Sequence, residues 1–200
     1  MNNNAYKIIT VGREFGSGGR EVARRLAEEL GFEYYDNEII TEISKKTALS
    51  EEYVREIIES EPHKLYPITV GNSIAYVDQY TQYQIQSVYG AQSKILKDLA
   101  MKSNCIIVGR CADYILKDYN PYKIFVYASK DSKIKRCMER NKVKDEYTEK
   151  EIWKYMKKID KQRSRYYEHY TEQKWGAKEN YDLCINTTNA NIKEVVAAIS

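Results

Sequence analysis

The chain is predicted to fold as an α/β domain, a five-stranded parallel sheet covered by helices on both faces in three layers. Three observations predict this. Short apolar runs recur at "YKIITVG" (6–12), "FEYYD" (32–36), "CIIVGR" (105–110), "YKIFVYAS" (122–129) and "YDLCINTT" (181–188), as buried strands do. Helix-like segments separate them, and this alternation implies parallel pairing with both sheet faces buried. Gly12, Asp36, Gly109–Arg110 and the helix over 129–140 all begin at strand carboxyl ends, where ligands of such sheets bind.

The elements follow in order. The first strand runs into "VGREFGSGGREVARRL" (11–26), where five of the first nine residues are Gly or Ser. Val22, Leu26 and Leu30 then recur every four residues, with Ala23 and Ala27 beside them. That is one apolar helix face ending at Gly31. Two helices follow the second strand, "NEIITEISKK" and "SEEYVREIIES"; Ser50 caps the latter and Glu51 and Glu52 fill its first turn, where acids suit the helix dipole. "EPHKLYPITVGN" (61–72) carries two of the three prolines and is expected to be a loop. From about Ser73 to Met101 the chain is expected to be helical, broken near Gly90. Ser129 is the expected cap of "SKDSKIKRCMERN", a longer helix covers 148–173, and "NIKEVVAAIS" closes the chain.

Composition narrows the function classes. The 200 residues suffice for one domain, and the net charge of +3 is nearly balanced. Neither suggests a nucleic-acid binder, which would be far more basic. No segment reaches the ~18–20 apolar residues needed to span a bilayer, and "MNNNAYKII" lacks the regions of a signal peptide. The expected location is cytoplasmic. Cys105, Cys111, Cys137 and Cys184 have no metal-ligand spacing and are expected to be reduced structural thiols. His63 and His169 lie in polar surroundings without an obvious partner. Tyrosine is abundant, 19 residues against three Phe, and can replace Phe wherever its hydroxyl reaches water.

Three stretches carry a family likeness: "ITVGREFGSGGREVARRLAEELGFEYYD", "AQSKILKDLAMKSNCIIVGRCADYIL" and "IDKQRSRYYEHYTEQKWGAKENYDLCINTT". Together, and in this order, they resemble the cytidylate-kinase-like branch of P-loop nucleoside monophosphate kinases. The resemblance implies a P-loop NTPase fold within a single domain, with a core at 5–36, 100–140 and 175–200. It also implies a helical acceptor-binding region at about 37–100 and a lid at about 141–172. The implied activity moves the γ-phosphate of ATP, with Mg²⁺, to a small acceptor, CMP or dCMP in the best-known relatives. The implied partners are a nucleotide and a small molecule, with neither nucleic acid nor membrane; a homo-oligomer is left open.

In a P-loop, successive amides point at phosphate and the next helix adds its N-terminal partial charge. Gly12, Arg13, Gly16, Ser17, Gly18 and Gly19 supply such a loop, with the helix starting near Arg20. The usual GxxxxGK[ST] also supplies a Lys for the phosphates and a hydroxyl for Mg²⁺. In this alignment Gly19 stands at the Lys position and Glu21 at the Thr position. Arg20 is the nearest cation and the first candidate to replace the lysine, with Arg13 the second. Glu21 or Asp36 are the candidates for Mg²⁺, although Glu also suits a helix N-terminus.

Asp36 is expected to hold the acceptor or Mg²⁺, or to accept a hydroxyl proton; alternatively it caps the helix from Asn37. Arg110 matches an arginine that meets acceptor phosphate in the family. The family's flanking acids are replaced by Val108 and Cys111, leaving Asp113 as a partner for Arg110 or for the metal. Arg136 and Arg140 share a helix face, and the family pattern turns such arginines toward ATP; a solvated basic face including Lys133 and Lys135 is the alternative. Arg163 interrupts an apolar stripe of Ile152, Met156, Ile159, Tyr166 and Tyr170. A cation there needs an anion, either Asp160 or a phosphate reached on lid closure. Tyr76, Tyr80 and Tyr83 fall at helical spacing, as a lid over a base, a dimer face or core covering. Two other functions stand beside the leading one: a kinase for another small metabolite, and a nucleotide-binding or sensing protein that has lost catalysis.

Overall fold

β1 (Ile8–Arg13), β2 (Glu33–Tyr35), β5 (Cys105–Val108), β6 (Tyr122–Tyr127) and β7 (Leu183–Asn186) form one parallel sheet in the order β2-β5-β1-β6-β7. The computed structural model describes residues 6–59, 68–70, 73–75, 79–141 and 147–200, without the side chains of 59, 68–70, 73–75, 79–82 and 140–141. Val11 stands opposite Val108 on one side and Ile124 on the other. The chain moves from β5 to β6 across β1, so the loops after β1 and β5 open at the switch point of the sheet, where ligands bind in this architecture.

Alternation along the strands builds two cores. Cys105 and Ile107 of β5 face one cluster, with Ile40 and Ile43 of α2 (Glu38–Thr47), Val54 of α3 (Glu51–Glu59) and Leu96 of α4 (Gln79–Ala100). Ile106 and Val108 face the other, with Val22 and Leu26 of α1 (Gly19–Leu30) and Val196 of α8 (Ile192–Ala197). One-residue alternation thus divides the helices between two faces. Each fully buried Val, Leu or Ile contributes about 1.5–3 kcal/mol.

Several expected elements appear with their expected caps. Ser50 accepts from the Tyr53 amide at 3.2 Å and Ser129 from the Ser132 amide at 3.3 Å. The latter opens α6 (Lys130–Asn141). Thr148 and Glu151 form a reciprocal capping box at the start of α7 (Glu149–Thr171), which fixes where this long helix begins.

The region between α3 and β5 departs from expectation. β3 (Ile68–Val70) and β4 (Ser73–Ala75) pair antiparallel, so the helix starts at Gln79 rather than near Ser73. α4 also continues through Gly90, whose surroundings are open within 4 Å. A single glycine costs a helix only about 1 kcal/mol, which packing against α2 and α3 offsets. A short helix α5 (Ala112–Ile115) follows β5 directly. His63 and Tyr76 lie outside the described residues, as does the Tyr80 side chain, while Tyr83 is exposed. His169 packs edge-on to Tyr170. Cys105, Cys111 and Cys184 are free thiols, and no described helix is long and apolar enough to cross a membrane.

Candidate functional site

The loop after β1 is braced from several directions. The Glu14 amide continues the sheet to the Val126 carbonyl at 3.0 Å. The Ser17 hydroxyl donates to the Glu14 carbonyl at 2.8 Å and accepts weakly from the Gly19 amide at 3.3 Å. Thr187 Oγ1 and Arg136 Nη1 both donate to the Ser17 carbonyl, at 2.6 and 3.3 Å. Gly16 and Gly18 hold φ of +76° and +81°, a conformation open to glycine at little cost. Among the described residues, the amides of Gly16, Gly18 and Arg20 meet no acceptor. With the N-terminus of α1 behind them, these open donors form a nest that favours an anion.

Gly19 has a different requirement from the one expected. A Cβ there would lie 2.5 Å from Cβ of Arg13 and 3.1 Å from Cβ of Val126. The crowding comes from the sheet below, and the residue lets α1 sit close on β1. Gly12 is similar, its missing Cβ leaving room for the Phe125 ring at 2.8 Å.

Two arginines flank one buried carboxylate. Asp36, 3 % exposed, pairs with Arg20 Nε at 2.5 Å and Arg13 Nη2 at 3.5 Å. It does not cap α2; its own amide donates to Glu38 Oε2. Arg13 is the buried member and Arg20 the half-exposed one, at 12 % and 54 % side-chain exposure. Burial pulls the Arg13 guanidinium down to about 9, helped by Arg163, Arg110 and Arg20 and opposed by Asp36. The neighbouring guanidiniums add to the effect of burial.

Arg110 is also buried and sits at φ +62°, between Gly109 at +70° and Cys111 at +52°. Gly109 has a specific reason to lack a side chain, because a Cβ would fall 1.8 Å from Nη1 of Arg13. The strand-end glycine makes room for the guanidinium from the neighbouring strand. Asp113 accepts from the Tyr167 hydroxyl at 2.7 Å, and burial pushes its carboxyl up.

α7 lies over the loop. Asp160 Oδ1 accepts from the Phe15 amide at 2.7 Å, and Arg163 Nη1 reaches Asp160 at 3.5 Å and the Arg13 carbonyl at 3.4 Å. Phe15 is held between Tyr155, edge-on at 5.6 Å, and the Arg163 guanidinium at 5.7 Å. Burial raises Asp160 to about 6 despite the Phe15 amide, Arg163 and Lys133. Lys133, which the alternative reading put on a solvated basic face, is buried, with Nζ 2.9 Å from Glu14 and 3.7 Å from Asp160. Its position in a basic run concealed this. Arg136 faces the loop, whereas the Arg140 side chain lies outside the described residues.

Two cavities adjoin through Arg13 and Arg163. One, about 270 Å³, lies against Phe15, Gly18, Gly19, Arg20 and Arg136. The other, about 60 Å³, is lined by Arg110, Asp113, Tyr166, Tyr167, Trp175 and Tyr181.

The residues present do not fit a protein-held Mg²⁺. Among the described residues no three His, Cys, Asp or Glu side chains gather as ligands. Glu21 pairs along α1 with Arg25 at 2.9 Å, and Asp36 is already flanked by two guanidiniums. Mg²⁺ in phosphate sites is commonly held chiefly by substrate oxygens and water.

Comparisons with known proteins place this geometry in a family. No curated protein matches the chain. A crystal structure of an uncharacterized protein from Eubacterium ventriosum is 31 % identical, with 96 % of this chain and 95 % of that chain covered and a TM-score of 0.65. Shikimate kinase from Acinetobacter baumannii, in complex with shikimate, is 16 % identical, covers 98 % and 92 %, and has a TM-score of 0.51. Shikimate kinase from Bacteroides thetaiotaomicron is 12 % identical, covers 96 % of each chain, and has a TM-score of 0.54. The last two likenesses show a shared fold, the three-layer P-loop kinase architecture. Residues 8–189 match the model of the cytidylate kinase-like family. The chain, with its glycine loop and ring of arginines at the sheet switch point, belongs to that family.

Proposed function

We propose that the protein transfers the γ-phosphate of ATP to a small anionic acceptor, with CMP or dCMP the first candidates. The observation that carries this reading is the gathering of Arg20, Arg110 and Arg163 about Arg13, with Asp36 paired to Arg13 and Arg20, beside a loop with open amides. Four clustered guanidiniums form a site that phosphate oxygens would neutralise.

In this reading the larger cavity takes the donor phosphates, cradled by the amides of Gly16, Gly18 and Arg20 and met by Arg13, Arg20 and Arg136. The aromatic cavity takes the acceptor, whose anionic group faces Arg110 and Arg163. The helices α2–α4 form the acceptor-binding region and α7 the lid. An acceptor phosphate oxygen attacks Pγ, the bond from Pγ to the bridging oxygen breaks, and ADP leaves with that electron pair. The attacking oxygen is already ionised, so no base is required. Arg13 and Arg163, shared by both cavities, stabilise the charge that spreads over the γ-oxygens during transfer. Mg²⁺ arriving with the nucleotide would screen its phosphates. Asp160 positions Arg163.

A second reading rests on Asp36, whose Oδ1 is buried without a hydrogen bond. A hydroxyl-bearing metabolite could donate to that oxygen. ADP release from ATP–Mg²⁺ with a panel of mononucleotides and hydroxylated acids separates the readings. A monophosphate acceptor predicts that Arg110→Ala costs more than Asp36→Asn, and a hydroxyl acceptor reverses the order. Nucleotide binding without turnover on any acceptor would identify a binding or sensing protein instead.

A further inference from the structure

Gln92 lies on α4, fully buried, in an element that supplies none of the site residues described above. Its Nε2 donates to the Arg110 carbonyl at 2.9 Å, and its Oε1 accepts from the Tyr166 hydroxyl at 3.4 Å. The carbonyl settles which end of the amide faces it, since only the NH₂ can donate. One side chain therefore joins α4, the turn after β5, and α7.

That turn needs holding. Gly109, Arg110 and Cys111 are consecutive left-handed residues, and two of them carry side chains. Non-glycine residues persist in this conformation only where their surroundings over-determine it. The Gly109 amide is fixed by Val11, and the Gly109 carbonyl accepts from Ala112. The Cys111 carbonyl accepts from Tyr114 and Ile115. The Arg110 carbonyl, between them, is held by Gln92. An alternative conformation that rotated this peptide would move the Arg110 guanidinium and leave a buried amide without its acceptor.

We propose that Gln92 is a positioning residue that sets the direction of Arg110, and so the affinity of the aromatic cavity for its anionic acceptor. This rests on the phosphoryl-transfer reading above. Gln92 acts through Arg110 and touches neither substrate. Through Tyr166 it also ties the Arg110 turn to the lid helix, so acceptor binding and lid placement share one buried amide.

The test compares Gln92→Met, similar in length but unable to bond, with Tyr166→Phe, which leaves the Gln92–Arg110 bond in place. Steady-state kinetics and amide hydrogen exchange of the full chain are measured together. Gln92→Met is expected to raise acceptor KM about tenfold or more, the scale of one lost buried hydrogen bond. ATP KM should stay within about twofold, because the glycine loop does not touch Gln92; a general loss of folding would move both. Exchange at 109–112 should rise while that at 12–22 is unchanged. Tyr166→Phe should alter acceptor KM much less.

Equal losses for ATP and acceptor, or unchanged exchange at 109–112 in Gln92→Met, would overturn the proposal. If the wild-type protein turns over no acceptor, the exchange result still decides whether Gln92 holds the turn, and it is the phosphoryl-transfer reading that fails.

Discussion

At the scale of single residues, the structure separates the two arginines that the sequence offers in place of the usual lysine. Arg20 is nearest the position of the usual lysine, but half of it meets water, which screens its charge. Arg13 is buried between Gly19 and Gly109, with its guanidinium drawn toward its neutral form by burial. Arg13→Met, which keeps the apolar stem, should lower turnover about 10²–10³-fold, in line with removal of a preorganised charge donor. Arg20→Ala should cost about tenfold or less, as for a solvent-screened pair. Rates of ADP release check both, and an equal or reversed ranking would return the lysine's role to Arg20. Gly109→Ala adds a test of the packing. Its Cβ would overlap Arg13 Nη1 and sit at positive φ, so unfolding in urea should show a loss of about 1–3 kcal/mol. In an Arg13→Met background the overlap disappears and only the backbone cost should remain. The double-mutant cycle would therefore show favourable coupling between the substitutions; strict additivity would mean that the guanidinium simply moves aside.

At the scale of elements, the contact between α7 and the glycine loop depends on a carboxylate in an unfavourable place. Asp160 is raised from 3.8 to about 6, first by burial, while the Phe15 amide, Arg163 and Lys133 pull it down and Glu14 opposes them. A folded value above the unfolded one means that the native state holds the proton more tightly. Stability from this group is therefore present at low pH, falls as pH rises from about 4 to 6, and is flat above. Asp160→Asn keeps an acceptor for the Phe15 amide and removes the buried charge. Its urea midpoint should exceed that of the wild type at pH 7.5, with the gap narrowing by pH 4.5. A variant less stable at pH 7.5 would show that Arg163 and Lys133 outweigh burial. An acid kept at a stability cost fits a role in orienting Arg163, so the same variant should be slower in ADP release. None of this contact was readable from periodicity, which placed Arg163 on the inward stripe but could not say that Phe15 and Asp160 would meet. Ser50 and Ser129, by contrast, announced their helix starts, because caps are local and their chemistry is written within four residues.

At the scale of the molecule, the five parallel strands and both helix layers were readable because each rests on short-range periodicity and strand-end glycines. The hairpin at 68–75 was not, since three-residue strands leave too few alternations to distinguish from loop. The candidate site was readable as residue types at strand ends, and the converging arginines follow from the sheet order alone. What the sequence concealed was depth: Arg13 and Lys133 are buried, Arg20 is not, and Gln92 reaches across from α4. Depth has a consequence for the whole fold. Folding brings Arg20, Arg110 and Arg163 close to Arg13, a repulsion that the unfolded chain lacks and that a bound polyanion would relieve. Any ligand that binds only the native state stabilises it, by about 2.7 kcal/mol at a hundred times its Kd, or roughly 5–10 °C in a chain of this size. Tripolyphosphate or ATP should therefore raise the melting temperature by several degrees, and CMP should raise it more than cytidine does. The shifts from phosphate should shrink as sodium chloride is raised toward 0.5 M, because added salt screens charges that are not fully buried. Arg13→Met should have a smaller response to tripolyphosphate and a higher melting temperature without it, since one repelling charge has gone. Equal shifts from CMP and cytidine would show that the base, rather than the arginine cluster, dominates binding.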